Sequence, residues 1–159
     1  MTDRERPVAL DPGEIEEDTG SSYPEPFRDA VAGRAKRALG NPFGLSQFGV
    51  NLVRLPPGTM SSQRHWHSLE DEFVYVLEGE LVLVTDAGDT PMQAGMCAGF
   101  KAGSGDGHHL INRSDEVALY LEVGARCGLD DEAFYSDIDM ELRRFGECHR
   151  FVHRSGEPW

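Results

Sequence analysis

Five candidate metal donors stand in the middle of the chain. His65 and His67 are two apart, Glu72 follows five residues later, and His108 and His109 come further on. On an extended chain, residues i and i+2 point to the same face, so the imidazoles of His65 and His67 can meet at one point. A polar break after His67 can act as a turn, and the next strand can then swing the Glu72 carboxylate to that point. A later strand supplies a third imidazole, from His108 or His109. Three neutral nitrogens and one carboxylate suit Fe(II), Mn(II), Zn(II), Ni(II) or Cu(II) better than Ca(II) or Mg(II). An ion with five or six ligands keeps room for water or substrate, whereas a closed tetrahedral zinc site would be structural.

The elements that must position these donors read as β-strands. Short runs rich in β-branched and aromatic residues cover 47–55, 71–78, 80–85, 97–100, 108–112 and 117–123. Turn signals separate them at Pro56-Pro57-Gly58, Glu78-Gly79, Asp86-Ala87-Gly88-Asp89 and Arg113-Ser114-Asp115. Many short strands with regular turns predict an all-β sandwich or small antiparallel barrel, and no strand–helix alternation argues for a parallel sheet. On this reading Val74 and Val76 line the interior, while Trp66, Phe73 and Tyr75 point outward. Residues 1–22 read as a flexible acidic arm, with the run Glu14-Ile15-Glu16-Glu17-Asp18. Residues 23–43 read as a helical lead-in. Within it, Pro26 to Leu39 predicts a short helix with Phe27, Val31 and Leu39 on one apolar face, stopped by Gly40-Asn41-Pro42. Residues 44–125 form the barrel, and 126–159 form an extension packed on the barrel or on a partner subunit. The extension is locally basic, with Arg143, Arg144, Arg150 and Arg154, which suggests contact with the acidic arm of the same or a neighbouring subunit.

The stretch Gly58 to Gly79 resembles the first sequence motif of the cupin superfamily, through Gly58, His65, His67, Glu72 and Gly79. Gly95, Gly103, His108 and Asn112 match the second motif. One extra residue stands before His65, Lys101 replaces a proline, Met96 stands where an acidic residue often follows the glycine, and two extra residues lengthen the loop before His108. The resemblance implies a single antiparallel cupin barrel, or jelly roll, with metal at its wide end and often a dimer. Its spacing to Asn112 selects His108 over His109 as the fourth ligand, so the implied set is His65, His67, Glu72 and His108. The whole chain is similar to small single-domain bacterial cupins described as sugar-phosphate-isomerase-like.

The net charge is −13, from 15 Lys+Arg against 28 Asp+Glu, which repels nucleic acid and anionic membranes. No apolar run approaches a membrane span and no export signal opens the chain, so a cytoplasmic location is expected. Cys97, Cys127 and Cys148 are widely spaced and expected to be free thiols. The partners expected are a small polar substrate, a sugar phosphate being the leading candidate, and a second copy of the chain in a homodimer. Three functions compete. The first is a metal-dependent aldose–ketose isomerase, in which the ion activates a carbonyl and its neighbouring hydroxyl while a base moves the proton. Glu72 or a metal-bound hydroxide would be that base, with Gln63 reaching a substrate hydroxyl and Lys101 an anionic group. The second is an Fe(II) dioxygenase, which needs no base and prefers an apolar pocket. The third is a binding-only sensor or storage protein.

Overall fold

A computed structural model describes residues 6–159; the first five residues of the acidic arm lie outside the described residues. Twelve strands run β1 Ala35–Ala38, β2 Phe48–Leu55, β3 His65–His67, β4 Glu72–Glu78, β5 Glu80–Thr85, β6 Gly88–Gln93, β7 Cys97–Phe100, β8 His109–Ile111, β9 Ala118–Ala125, β10 Ala133–Tyr135, β11 Glu141–Phe145 and β12 Cys148–Val152. All pairings are antiparallel. One sheet has the order β1-β2-β9-β4-β7, and the others are β12-β11-β10-β3 and β6-β5-β8. A bridge between His65 and His108 continues the last two into one another. The result is an antiparallel β-barrel, as the strand pattern predicts, in the jelly-roll form that the cupin resemblance implies.

Period-two burial fixes the sheet faces. Val53 and Leu55 on β2, Val74 and Val76 on β4, and Ala118 and Tyr120 on β9 point inward. They meet Leu81 and Leu83 of β5, Met92 of β6 and Leu110 of β8 in one core. Phe73, Tyr75 and Leu77 of β4 stay on the outer face, 38–41% exposed. Trp66 also leaves the interior, but its own chain covers it: its ring stacks on Phe134 of β10, with centroids 4.4 Å apart. β6 escapes the sequence reading because Pro91 sits in it. It is an edge strand, where a residue without an N–H is tolerated.

The lead-in is not a helix. One 3-10 turn, Asp29–Val31, is its only helical element, and the chain then extends into β1. Gly33 takes φ +89°, which ends the turn, and Ala35 to Ala38 pair with Arg54 to Asn51 of β2. The hydrogen bonds of an open sheet edge outweigh a weak local helix propensity. Val31 is buried in a second apolar cluster with Tyr23, Ala133, Tyr135 and Met140, so the lead-in packs on the C-terminal extension. The arm lies against the barrel edge: Asp18 bridges to Lys36, and Glu17 pairs with Arg54 at 3.3 Å and Arg37 at 3.6 Å. The arginines of the extension pair within it, Arg144 with Asp130 at 2.7 Å and Arg143 with Glu141 at 2.6 Å, rather than with the arm. Among the described residues no helix is long and apolar enough to cross a membrane.

The two motif-end residues that hold no donor act on the backbone. Asn112 is fully buried, donates to the Leu55 and Glu116 carbonyls at 2.7 Å each, and accepts from Ser114, bracing the turn after β8. Gly79 sits at φ +75° between β4 and β5, and a Cβ there would lie 3.0 Å from the Val117 carbonyl oxygen. Gly79→Ala should therefore cost about 1–3 kcal/mol of stability. Urea unfolding checks this; a midpoint equal to that of the native chain would remove the strain argument.

Candidate metal centre

β3 and β4 bring three donors together, and the bridge to His108 adds the fourth. His65 Nε2 and His67 Nε2 are 3.1 Å apart. Glu72 Oε2 lies 3.7 Å from His67 Nε2 and 3.0 Å from His108 Nε2. The ring of His108 is held flat against Phe100, with centroids 3.5 Å apart. His65 stacks on Tyr135 at 5.5 Å. The four residues named from the motif are thus adjacent. His109 faces away from them. It is buried beside Arg64 and Asp137, and burial pushes its imidazole down to about 4.

The hydrogen bonds decide which nitrogens carry protons. His65 Nδ1 lies 2.9 Å from the Gln63 carbonyl oxygen, which can only accept, so Nδ1 carries the proton. His67 Nδ1 lies 2.5 Å from the carboxylate of Asp131, with the same consequence. In the neutral rings both Nε2 atoms then present lone pairs to each other at 3.1 Å, beside an anionic oxygen. Burial, opposed by the charge of Glu72, pushes His65 down to about 4, so it is neutral at ordinary pH. Burial alone would raise the Glu72 carboxyl, but the closeness of His108 and of the other two imidazoles holds it down at about 2. Its Oε2 nevertheless lacks a well-directed donor: His108 Nε2 is close, but out of hydrogen-bond alignment. Converging lone pairs with nothing to accept them are what a cation stabilises. Two ligands bound at ~2.1 Å with right-angle or tetrahedral separation stand about 3.0–3.4 Å apart, which the His65–His67 spacing matches.

Asp131 is a residue that the sequence reading missed. It is buried, accepts from Leu69 N at 2.8 Å and Ser68 Oγ at 3.1 Å, and orients His67 from outside. Glu70 and Asp71, which stand nearer in sequence, do not take that role. Glu70 accepts from Cys127 N at 2.6 Å, and Asp71 accepts from Ala102 N at 2.8 Å. Asp131 arrives because β10 pairs with β3, Ala133 opposite His67 and Tyr135 opposite His65. Nothing local in the sequence announces a contact across 64 residues. The lengthened loop before His108 is pinned by Arg64, which donates to the Gly107 carbonyl at 3.2 Å and to Asp137 at 2.6 Å.

The donors open into a cavity of about 200 Å³. Tyr23, Arg34, Lys36, Ser61, Ser62, Tyr120 and Glu122 also line it. Glu122 is a carboxylate outside the donor set. Its Oε1 accepts from Lys36 Nζ at 2.9 Å and Asn51 Nδ2 at 3.0 Å. Burial would raise this carboxyl, but the Lys36 ammonium prevails and holds it below its usual value. An inward glutamate within the expected strand 117–123 was the available signal. Gln63 and Lys101 do not line the cavity. Gln63 donates to the Phe27 carbonyl at 3.0 Å, and Lys101 is exposed, 3.4 Å from Asp71.

Comparison with known proteins follows the same geometry. The cupin domain family matches residues 51–124, the span that carries all four donors. The crystal structure of a sugar phosphate isomerase of the cupin superfamily from Silicibacter pomeroyi DSS-3 is 48% identical. It superposes with a TM-score of 0.90 over 95% of this chain and 96% of that one. A structure from Acidithiobacillus ferrooxidans, named provisionally as a sugar phosphate isomerase, is 29% identical, with a TM-score of 0.71 over 77% of each chain. The polyketide cyclase RemF from Streptomyces resistomycificus shares the fold alone, at 21% identity and a TM-score of 0.61 over 74% of this chain and 78% of that one. Among curated proteins no significant match is found. With close identity running over nearly the full length of the Silicibacter protein, and the domain match spanning the donor-bearing strands, this chain belongs to the cupin superfamily.

Proposed function

We propose that the chain is a metal-dependent isomerase of small phosphorylated sugars, with the ion held by His65, His67, Glu72 and His108. The Silicibacter protein, a sugar phosphate isomerase with 48% identity, supports the substrate class. The observation that carries the reaction type is Glu122, a carboxylate in the donors' cavity that is not itself a donor. Aldose–ketose interconversion needs a base to move a proton between adjacent carbons. With Glu122 present, that duty need not fall on Glu72, and Gln63 and Lys101 have no part in it. A dioxygenase needs no such base, and the polar lining of the cavity suits a hydroxylated substrate.

The bound ion, Zn(II), Mn(II), Fe(II) or Ni(II), would supply Lewis acidity at the carbonyl and its neighbouring hydroxyl. The protein residues do the rest. Glu122 takes the proton from C2, and the electron pair left behind moves toward the carbonyl oxygen. Glu122 then returns the proton to C1 while the O2 proton passes to O1. Lys36 keeps Glu122 ionised and fixes its position. Asp131 holds His67 in the tautomer that offers Nε2. Ser62 Oγ, 3.3 Å from His65 Nδ1, steadies the other ring.

We also propose a homodimer through the outer face of the five-stranded sheet. Phe73, Tyr75, Leu77 and Phe48 are exposed there. Two chains of net charge −13 repel each other, so they meet best where the surface is uncharged and apolar.

Three outcomes follow. His67→Ala should reduce bound metal to background, while His109→Ala retains it; elemental analysis of tag-free protein reads both, and equal loss would reassign the donors. In strict anaerobiosis, phosphorylated aldoses should take up solvent deuterium at C2. Glu122→Gln should slow that uptake about 10²–10⁴-fold with metal content unchanged. No uptake, with iron-dependent O₂ consumption instead, would favour the dioxygenase. Light scattering should give twice the 17.6 kDa of one chain, and Tyr75→Glu should shift it toward one.

A further inference from the structure

Arg34 differs from most cations of this chain. Lys36, Arg37, Arg54, Arg64, Lys101 and Arg113 each have a carboxylate within 4.0 Å. Arg34 has none among the described residues, although acidic groups outnumber basic ones 28 to 15. It lines the cavity of the donor cluster. Its guanidinium is fixed by the Ser61 carbonyl and, more loosely, by the Gly20 carbonyl at 3.4 Å. A guanidinium has five N–H donors, so most of its donor capacity stays free. Gly33, at φ +89°, and the pairing of β1 set the direction from which it enters.

A second observation points the same way. Tyr120 is fully buried, lines the same cavity, and its hydroxyl has no hydrogen-bond partner; the Ser61 hydroxyl is near but out of alignment. A buried hydroxyl left unpaired costs stability, and such a group persists where a ligand satisfies it. Arg34, Tyr23 and Tyr120 line that one cavity together. Ser62 adds a cavity hydroxyl between Arg34's tether at Ser61 and the ring of His65. Lys36 is already neutralised by Glu122, so Arg34 is the cation that remains for an anion in the cavity.

We infer that Arg34, Tyr120 and Ser62 form a phosphate-monoester subsite, which holds the substrate's phosphate away from the metal donors and presents its carbonyl end to them. This inference rests on the isomerase reading only for the carbonyl end; the anion subsite stands on its own residues. A phosphate fits better than a carboxylate. Three terminal oxygens match a fork of N–H groups with two hydroxyls, and a dianion gains more from the fixed charge. The arrangement also explains why the arm and lead-in fold back over the barrel: they deliver Arg34 and Tyr23 to the cavity.

The test uses the full-length protein stripped of metal by chelation, so that phosphate cannot bind through an ion. Calorimetric titration with ribose 5-phosphate, ribose and ribonate separates phosphate, neutral and carboxylate ligands. Ribose 5-phosphate should bind, and ribose and ribonate should bind at least tenfold more weakly. Arg34→Met should weaken the phosphate ester about tenfold to a hundredfold, with Arg34→Lys recovering part of the loss. Tyr120→Phe, which removes only an unpaired hydroxyl, should weaken it several-fold and leave the unfolding midpoint unchanged or higher, so the inference stays testable if Arg34 variants fold poorly. Equal binding of ester and free sugar, or ester binding untouched by both variants, would overturn the subsite. Ester binding without deuterium exchange in the metal-loaded protein would instead uphold the subsite and remove the isomerase.

Discussion

Two imidazole lone pairs held 3.1 Å apart, beside a carboxylate oxygen, are the constraint on which the rest of the site depends. Left to themselves these groups would separate or take up a proton. The fold prevents both. The Gln63 carbonyl and Asp131 occupy the outer nitrogens, so the inner ones cannot rotate into donors. Phe100 and Tyr135 press the rings of His108 and His65 into place. Burial discourages protonation of His65. Electrostatic cost is therefore stored in a preorganised set of electron pairs, and a cation is the group that would relieve it.

The C-terminal extension belongs to this machinery. β10 is hydrogen-bonded to the strand that carries His65 and His67, and it brings Asp131 behind His67 and Tyr135 over His65. The N-terminal segment has the matching role on the other side of the cavity, through Tyr23, Arg34 and Lys36. The two segments share an apolar cluster built on Tyr23, Val31, Tyr135 and Met140. Barrel strands hold the donors, while the terminal segments supply what orients them and what faces a substrate.

That division explains what the sequence made legible. His65, His67 and Glu72 sit on short strands whose period of two sets their direction; His108 bridges to His65 just ahead of β8, and the same alternation separates it from His109. Gly79 and Asn112 are readable for the same local reason, one as the left-handed turn between β4 and β5 and the other as the brace of the turn after β8. Asp131, Arg34 and Lys36 were not readable, because their positions depend on pairings between distant segments. The lead-in misled for the converse reason. Its spacing of Phe27, Val31 and Leu39 imitates a helix face, but an open edge on β2 accepts the chain as a strand. Glu122 lay between these cases: alternation places it inward, yet only the cavity gives an inward glutamate a purpose.

Charge placement sets the cavity apart from the surface. A chain with net charge −13 has carboxylates to spare, and most of its cations are neutralised by one. Inside the cavity the bookkeeping is kept separate. Glu72 faces the donor imidazoles, Glu122 is matched by Lys36, and Arg34 is matched by no acidic side chain among the described residues. An ion of charge two plus at the donors would leave the cavity positive while the surface stays strongly negative. A metabolite with a negatively charged end is then disfavoured by the acidic surface and favoured by this cavity, so charge helps select the binding site before any specific contact forms.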